Sequence, residues 1–309
     1  MLKYAVQILG TEDYSGIESG WYGDCIILLN DKKKKMAVYD CGSVQHAEKV
    51  IEIMDAKGIT KVDIILSHND HDHFNGILKL VEENKAGKIF TTLFLKHVDE
   101  ILEKLDDDRR TDKATKKHIL DLYDNIAALT GSDLKDIYID EDELPDGIAF
   151  IGPDKDTMLE LVAKAIEDKS ITTTDGKETL VNAASLQISV SMQNDTRLLL
   201  VGDASVKNIV CDLMDYRFIQ LPHHGKLESA KGIFEIIEDN DDNNIANYTF
   251  LVSDNTGTSN GGSNDLMKSD VRIGKDIKNT KTNGTIDIGT PTYSSVEYAR
   301  KNYGICAGI

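Results

Sequence analysis

Apolar and polar positions along the chain predict strands in both halves, with helices between them. Near the start, "KYAVQIL" alternates, and "DCIILLN" and "KMAVYD" flank the polar turn "DKKKK" like the two arms of a hairpin. "VQHAEKVIEIMDAKG" has helical periodicity and closes at Gly58. "KVDIIL" is nearly continuous in apolar residues, as expected of a strand buried on both faces, and "NGILKLVEENKAG" resumes as a helix.

The second half repeats this alternation. "GIAFIGP" predicts a strand and "KDTMLELVAKAIED" a helix, and four further segments predict strands: "SLQISVSM", "TRLLLVGD", "RFIQLPHHG" and "YTFLVSD". Residues from about 96–134 carry helical patterns without a Gly/Pro-rich linker on either side. We interpret them as a helical insertion within a single domain that spans residues 1–309. Strands and helices mixed throughout predict α/β layers with a largely mixed sheet.

Composition and charge narrow the function classes. The chain has 309 residues, of which 40% are hydrophobic, and a formal net charge of −18. This acidic balance argues against an extended nucleic-acid footprint. No apolar run approaches the roughly 18 residues that a membrane helix needs. The start lacks a signal-peptide pattern and the four cysteines are scattered, so we expect a cytoplasmic protein with reduced thiols and no membrane contact. The sequence leaves the oligomeric state open.

The segment "LSHNDHDHFNG" concentrates metal-ligand residue types directly after a predicted buried strand. A register that starts at its first histidine gives H-x-D-x-D-H, with His71 on a spacer position. This register supplies four candidate ligands: His68, Asp70, Asp72 and His73. A register that starts at His71 offers only two ligands, so we prefer the first. In the alternative to a metal site, the aspartates cap the following helix and the histidines only form hydrogen bonds. The density of ligand types favours a metal site.

Two later strand ends add further candidates. "RLLLVGDAS" ends in Asp203, whose carboxylate can bridge two cations, and the residues after it are expected to open a helix. "FIQLPHHGK" ends in the adjacent pair His223 and His224, which is uncommon as packing because both imidazoles would need buried partners. The remaining histidines that we considered, His46, His97 and His118, fit surface, capping or structural roles better than ligation.

Taken together, these segments resemble the metallo-β-lactamase fold, whose first metal motif commonly reads HxHxDH. They are most similar to the branch found in ComEC-type DNA-uptake proteins, where that motif reads HxDxDH. "WYGDCIILL", "AVYDCGS", "VNAASLQISV", with Asn182 and Ser185, and "NTKTNGTIDI" resemble further family segments in the family's order. The resemblance implies a four-layer αββα sandwich with a metal site at one edge.

The sequence also departs from the family pattern. No third-motif histidine is evident, and Lys226 replaces the serine that usually follows HHG. The His-Pro of the ComEC-like "NxYxHP" segment is missing near "SDNTGTSNGGSN". Other members end the later strand in "PGHG", which aligns His224 with the metal ligand and leaves His223 beside the metal or facing the substrate. The departures bear on the substrate more than on the metals.

The resemblance implies two divalent metal ions, zinc or manganese, with magnesium as a further option. His68 and Asp70 would hold one ion, and Asp72, His73 and His224 the other, with Asp203 bridging them. Such a pair would generate hydroxide from a shared water for attack on phosphorus or an acyl carbon. Asp72 would orient this nucleophile, and His223 or Lys226 would stabilise anionic charge or protonate the leaving group.

The function predicted first is therefore a metal-dependent phosphodiesterase or nuclease. Its substrate would be a small molecule, a nucleotide or the end of a nucleic acid, because the charge disfavours long duplexes. A second interpretation is a hydrolase of a thioester, lactone or amide on the same fold. A third, from a different class, is a non-catalytic metal-binding or sensor protein. Nothing in the sequence resembles the membrane channel of ComEC, so a role in DNA uptake does not carry over.

Overall fold

The structure, a computed structural model, describes most of the chain. Its described residues are 2–10, 23–105, 117, 126, 128–129, 131–168, 179–193, 195–240, 245–255 and 262–289.

The described residues form two sheets. The strands are β1 (Ala5–Ile8), β2 (Cys25–Asn30), β3 (Lys35–Cys41), β4 (Val62–Ile65), β5 (Ala86–Thr91), β6 (Asp133–Asp136), β7 (Ile148–Gly152), β8 (Gln187–Ser191), β9 (Arg197–Leu200), β10 (Phe218–Gln220), β11 (Thr249–Val252), β12 (Asp276–Asn279) and β13 (Ile286–Ile288). One sheet has seven strands in the order β13-β1-β2-β3-β4-β5-β6, and the other has six in the order β12-β11-β10-β9-β8-β7.

Helices connect the strands. The α-helices within the described residues are α1 (Val44–Lys57), α2 (His71–Glu82), α3 (Val98–Lys104), α4 (Lys155–Asp168), α5 (Leu180–Ala183), α6 (Leu227–Glu238), α7 (Asn264–Lys268) and α8 (Thr280–Asn283). The 3₁₀ turns are Asp31–Lys33, Phe94–His97, Glu141–Glu143, Val206–Asn208, Leu213–Asp215, Ile245–Asn247 and Asp270–Arg272. Ser43 caps α1 by accepting a hydrogen bond from the backbone of His46, and Gly58 ends the helix in a left-handed conformation.

Each sheet is mixed and has a parallel half. In the first sheet, β3 to β6 are parallel, whereas β13, β1, β2 and β3 pair antiparallel in succession. In the second, β9 to β12 are parallel, whereas β7, β8 and β9 pair antiparallel. The parallel strands within each sheet end at one edge, which is where α/β folds commonly place their sites.

Three apolar cores define the layers. Inward-facing residues of both sheets, among them Tyr39, Leu198 and Leu251, pack together between the sheets. The opposite face of the first sheet packs against α1 and α2, and that of the second packs against α6. The order of layers is therefore helix, sheet, sheet, helix, and the predicted αββα sandwich is confirmed.

Several elements differ from the sequence-based expectation. Helix α2 begins at His71, four residues before Asn75, because the backbone carbonyl of Asp70 already accepts bonds from the two residues after Asp72. Aspartate suits a first helical turn, so the polar cluster belongs partly to the helix. The segment after Asp203 forms only the short turn Val206–Asn208.

The expected helical insertion is only partly described. It begins with the turn Phe94–His97 and helix α3, but its last residues already belong to β6. Much of the segment between them, including His118, lies outside the described residues. The division into one domain with an insertion stays a prediction.

Among the described residues, no helix combines the length and the apolar character needed to cross a bilayer. The cytoplasmic location stays a prediction.

Candidate metal centre

The expected ligands meet at one edge of the sandwich, where strands from both sheets end. His68 follows β4, and His73 lies in the first turn of α2. Asp203 follows β9, and His224 lies in the turn after β10. Each sheet therefore contributes two of these four side chains.

Two glycines allow the start of α2 to lie against the first sheet. The carbonyl oxygen of Asp72 accepts a hydrogen bond from the backbone N–H of Asp24 at 2.8 Å. A Cβ atom at Gly23 or Gly42 would lie only 1.9 or 1.7 Å from that oxygen. The two glycines therefore permit the close approach that brings Asp72 into the site.

Buried carboxylates hold two imidazoles by their Nδ1 atoms. Nδ1 of His73 lies 2.8 Å from Asp40, and Nδ1 of His224 lies 3.0 Å from Asp24. The carbonyl oxygen of Ser253 lies 3.1 Å from the same His224 nitrogen. Because these partners only accept hydrogen bonds, each Nδ1 donates, which leaves Nε2 free to face the centre of the site.

Three buried atoms at this centre lack a hydrogen-bond partner among the described residues. They are Nε2 of His68, Nε2 of His73 and Oδ1 of Asp203. Ligand atoms of these three residues lie within 4.8 Å of one another. Leaving buried polar atoms unpaired costs about 1–3 kcal/mol each. Two imidazoles and a carboxylate are a donor set that zinc or manganese accepts, so the residues present fit a divalent cation.

Asp203 occupies the middle of the cluster. Its Oδ1 lies 3.5 Å from Nε2 of His73, whereas its Oδ2 lies 3.7 Å from Nε2 of His224 and 3.6 Å from Nδ1 of His223. Asn182 donates a hydrogen bond to Oδ2 at 3.3 Å. The two oxygens thus face different imidazoles, which is the arrangement that a bridging carboxylate requires.

Asp70 and Asp72 lie at the exposed rim of the cluster. Oδ2 of Asp70 lies 3.6 Å from Nε2 of His68, and Oδ2 of Asp72 lies 3.2 Å from Nε2 of His224. Burial opposes ionisation of Asp72, but the contact with His224 holds its pKa far below the ordinary value. His71, between the two aspartates, is exposed.

His73 lies within reach of two groups of ligand atoms. One contains His68 and Asp203, and the other contains Asp24 and His224. In the second group, Asp24 already accepts the Nδ1 proton of His224, so we assign it to orienting that ring and not to holding an ion. The rings of His68 and His73 are only 4.2 Å apart between centroids. The expected division of these two histidines between different ions stays a prediction.

The turn Pro222–Gly225 separates its two histidines. His223 and His224 have left-handed φ values of 55° and 53°, a conformation that costs a non-glycine residue about 1–3 kcal/mol. Their ring planes differ by 72°. His224 is buried in the cluster, whereas the His223 side chain is 24% exposed at the rim. Lys226 follows this turn and is half-buried at the start of α6.

The cluster is a network of opposite charges. Burial opposes protonation of His73, but Asp40 and Asp203 outweigh it and raise the pKa to about 10. Burial likewise opposes a charge on His224, yet Asp203 and Asp24 raise its pKa well above the ordinary value. For Asp203 itself, burial is outweighed by His224 and His73, which lower its pKa to about 2. A cation that binds here displaces protons from the imidazoles.

The other histidines lie apart from this cluster. His46 is 2% exposed, so the surface role is wrong, although its backbone N–H does donate to the cap residue Ser43. The ring of His46 packs towards the core, and the helical periodicity of the segment did not predict this burial. His97 bonds Asp136 at 3.1 Å in a separate buried contact, as a structural role implies.

Sequence reasoning did not name Asp24 and Asp40 as site residues. Both lie in the quoted segments "WYGDCIILL" and "AVYDCGS", within two residues of a glycine and among apolar residues. Both are 0% exposed. A buried carboxylate needs a hydrogen-bonding partner, so the position of Asp24 directly before an apolar strand and of Asp40 within one was the signal that could have identified them.

A comparison with solved structures finds metallo-β-lactamase fold proteins. The metallo-β-lactamase fold protein YhfI from Bacillus subtilis is 11% identical over 93% of this chain and 100% of that one, with a TM-score of 0.47. The B3 metallo-β-lactamase BLEG-1 is 13% identical over 64% of this chain and 71% of that one, with a TM-score of 0.29.

A metallo-β-lactamase from Cronobacter sakazakii with a mutated HARLDQ motif is 12% identical. The match covers 61% of this chain and 59% of that one, with a TM-score of 0.29. No protein-family model and no curated protein matches the sequence. At these identities and TM-scores the likenesses carry no argument about activity, which rests on the site itself.

Proposed function

We propose that this chain is a metal-dependent hydrolase of the metallo-β-lactamase fold, and that it cleaves phosphodiesters at a two-metal site. The observation that carries the proposal is the convergence of unpaired buried ligand atoms from His68, His73 and Asp203. Divalent ions held there would supply a nucleophile at neutral pH and stabilise negative charge on the substrate.

In this proposal some residues of the site would hold the metals and others would act on the water or the substrate. His68, His73, Asp203 and His224 would hold the metals, with Asp70 and Asp72 completing the site from the rim. The exposed rim position of Asp72 suits a carboxylate that orients the attacking water. At the same rim, His223 and Lys226 would stabilise negative charge on a bound phosphate or protonate its leaving group.

The substrate that we propose is a nucleotide or the end of a nucleic acid. A formal net charge of −18 repels a long anionic polymer, whereas a short phosphodiester meets only the local site. The ComEC-like form of the first motif, HxDxDH, supports a phosphodiester over an acyl substrate. A site rich in carboxylates favours manganese beside zinc.

The test compares wild-type protein with Asp72→Ala and His71→Ala. Metal content is measured on the purified proteins, and hydrolysis of bis-p-nitrophenyl phosphate is followed with zinc or manganese. We expect Asp72→Ala to lower the rate by roughly a hundredfold or more. His71→Ala is the matched control, because His71 lies in the same turn but is exposed, and it should retain both metal and rate.

Three outcomes would contradict the proposal. Wild-type protein that takes up no divalent metal has no hydrolytic centre of this kind. If the Asp72→Ala variant had unchanged activity, the reaction would not take place at this site. Hydrolysis of a thioester or lactone in the absence of phosphodiesterase activity would instead favour an acyl hydrolase.

A further inference from the structure

Two serine hydroxyl groups flank the ring of His68. Ser67 precedes it in the chain, and Ser185 lies just before β8 in the second sheet. Both serines are buried, and their Oγ atoms lie 2.9 and 3.2 Å from Nδ1 of His68. Each hydroxyl has one hydrogen to donate and two lone pairs that accept, so its other contacts decide which role it has toward His68.

Ser67 has to donate its hydrogen to a carboxylate. Its Oγ lies 2.7 Å from Oδ2 of Asp40, and a carboxylate oxygen only accepts. The Ser67 hydroxyl therefore has no hydrogen left for His68. At 2.9 Å from Nδ1 of His68, Ser67 acts as an acceptor.

Ser185 reaches the same result through different partners. Its Oγ lies 2.7 Å from the carbonyl oxygen of Asn182, which also only accepts, and therefore takes the Ser185 hydrogen. The backbone N–H of Asp203 donates to Oγ at 3.3 Å. The remaining lone pair of Ser185 faces Nδ1 of His68 at 3.2 Å.

We propose that Ser67 and Ser185 are positioning residues that fix the tautomer of His68. Both hydroxyls accept toward Nδ1, so the ring carries its proton there and presents the Nε2 lone pair to the centre of the site. Nε2 of His68 is one of the unpaired buried atoms of the cluster. The inference rests on the proposed function only in taking that lone pair to be a metal ligand.

Asp40 links the orientation of His68 to that of a second imidazole, His73. The same oxygen, Oδ2, accepts from the Ser67 hydroxyl at 2.7 Å and from Nδ1 of His73 at 2.8 Å. Its Oδ1 accepts the backbone N–H of Ser67 at 2.7 Å. One buried carboxylate thus orients His73 directly and His68 through Ser67, so the two rings are set together.

The first experiment reads the tautomer directly. Long-range ¹⁵N–¹H NMR spectra of the full-length, metal-free protein at about pH 8 distinguish a ring protonated at Nδ1 from one protonated at Nε2. A His68→Gln variant identifies the His68 signal. We expect the Nδ1–H form in the wild type and a mixture of the two tautomers when Ser67→Ala and Ser185→Ala are combined.

The second experiment measures zinc affinity by competition with a chromophoric chelator. Loss of a group that orients a ligand commonly weakens metal binding by 10–100-fold, so we expect about tenfold for Ser67→Ala and for Ser185→Ala. Ser189→Ala is the matched control. Ser189 is a buried serine on β8 whose hydroxyl forms a hydrogen bond with Tyr216 and not with His68. Its removal should leave zinc affinity unchanged.

The outcomes separate this inference from the proposed function. A wild-type spectrum that shows the Nε2–H form of His68 would overturn the tautomer assignment, even if the protein is an active hydrolase. The same holds if both serine variants fold, keep the Nδ1–H form and bind zinc like the wild type. A protein that binds neither zinc nor manganese but shows the Nδ1–H form of His68 contradicts the proposed function and leaves the assignment of the tautomer to Ser67 and Ser185 intact.

Discussion

At the scale of single residues, His46 shows how burial alone sets a chemical property. Its ring is 2% exposed in the first turn of α1, and neither ring nitrogen has a hydrogen-bond partner among the described residues. Burial lowers its pKa to about 4, although the charge of Asp24 acts in the opposite direction. The folded protein therefore holds this imidazole neutral under conditions in which an unfolded chain would protonate it.

This difference predicts acid sensitivity. In the unfolded chain His46 binds a proton near pH 6.5, whereas in the folded protein it does so near pH 4. Above about pH 6.5 the ring is neutral in both states and does not reduce the stability. As the pH falls from 6.5 towards 4, the unfolded chain gains a proton that the folded protein does not, so the stability decreases. Below about pH 4 both states are protonated and this decrease does not grow further. By linkage, the loss at about pH 5 is roughly 2 kcal/mol.

Urea unfolding of the wild type and of His46→Leu at about pH 7 and pH 5 measures this effect. We expect the variant to lose about 2 kcal/mol less than the wild type between the two conditions, because it has no ring to protonate. The exposed His71, replaced by alanine, should behave like the wild type. Equal losses in the wild type and His46→Leu would show that His46 does not titrate in this way.

At the scale of elements, the site depends on how closely α2 approaches the first sheet. Gly42 follows β3, and a Cβ atom there would lie 1.7 Å from the carbonyl oxygen of Asp72. This oxygen accepts the backbone N–H of Asp24, whose carboxylate in turn holds His224. A side chain at Gly42 would therefore displace candidate ligands that belong to both sheets.

We expect Gly42→Ala to lower the free energy of unfolding by about 1–3 kcal/mol and to reduce zinc uptake, because the start of α2 has to move. Urea unfolding and metal analysis measure the two effects. Gly232→Ala is the control, since Gly232 lies within α6 and the atoms nearest to a Cβ there are side-chain atoms of Val206 at 3.1–3.5 Å. A Gly42→Ala variant with wild-type stability and zinc content would contradict the steric argument.

The elements also show what the sequence could predict. The helix α4 has the bounds of the segment "KDTMLELVAKAIED", and the hairpin arms around "DKKKK" form the antiparallel pair β2 and β3. These elements follow from periodicity and local turns. The start of α2 was missed because its first turn is polar, and polar residues suit a loop as well as a helix start.

The candidate ligands were predictable because each lies in a local pattern, either the HxDxDH spacing or a segment that directly follows a predicted strand, as for Asp203 and His224. The spacing of His68, Asp70, Asp72 and His73 can be seen directly, and the structure brings Asp72 and His73 near His224. The positions of Asp24 and Asp40 as partners of imidazoles depend on strand pairing and on the contact between the two sheets. Spacing along the chain carries no information about such contacts.

At the scale of the whole molecule, the candidate metal centre joins the two sheets. His68 and His73 follow strand β4 of the first sheet, whereas Asp203 and His224 follow strands of the second. Metal ions held by these residues would bind only the native arrangement, so they would stabilise the folded protein by mass action.

We expect addition of zinc to raise the thermal midpoint and removal with a chelator to lower it. At a free zinc concentration about a hundred times the dissociation constant, the gain is about 2.7 kcal/mol. Differential scanning calorimetry with and without chelator measures it. Asp203→Asn should lose the zinc-dependent shift and His71→Ala should keep it, and a wild-type midpoint that is the same with and without zinc contradicts the prediction.

The distribution of these ligands over two sheets has a consequence for the protein during its synthesis. When His68 and His73 have emerged, more than a hundred residues separate them from Asp203 and His224 in the chain. A partly made chain therefore has only half of the ligand residues, and a misfolded chain does not bring the two halves together. Under the proposed function, hydrolytic activity appears only once the two sheets have packed together. Nascent and misfolded chains therefore would not cleave the phosphodiesters around them.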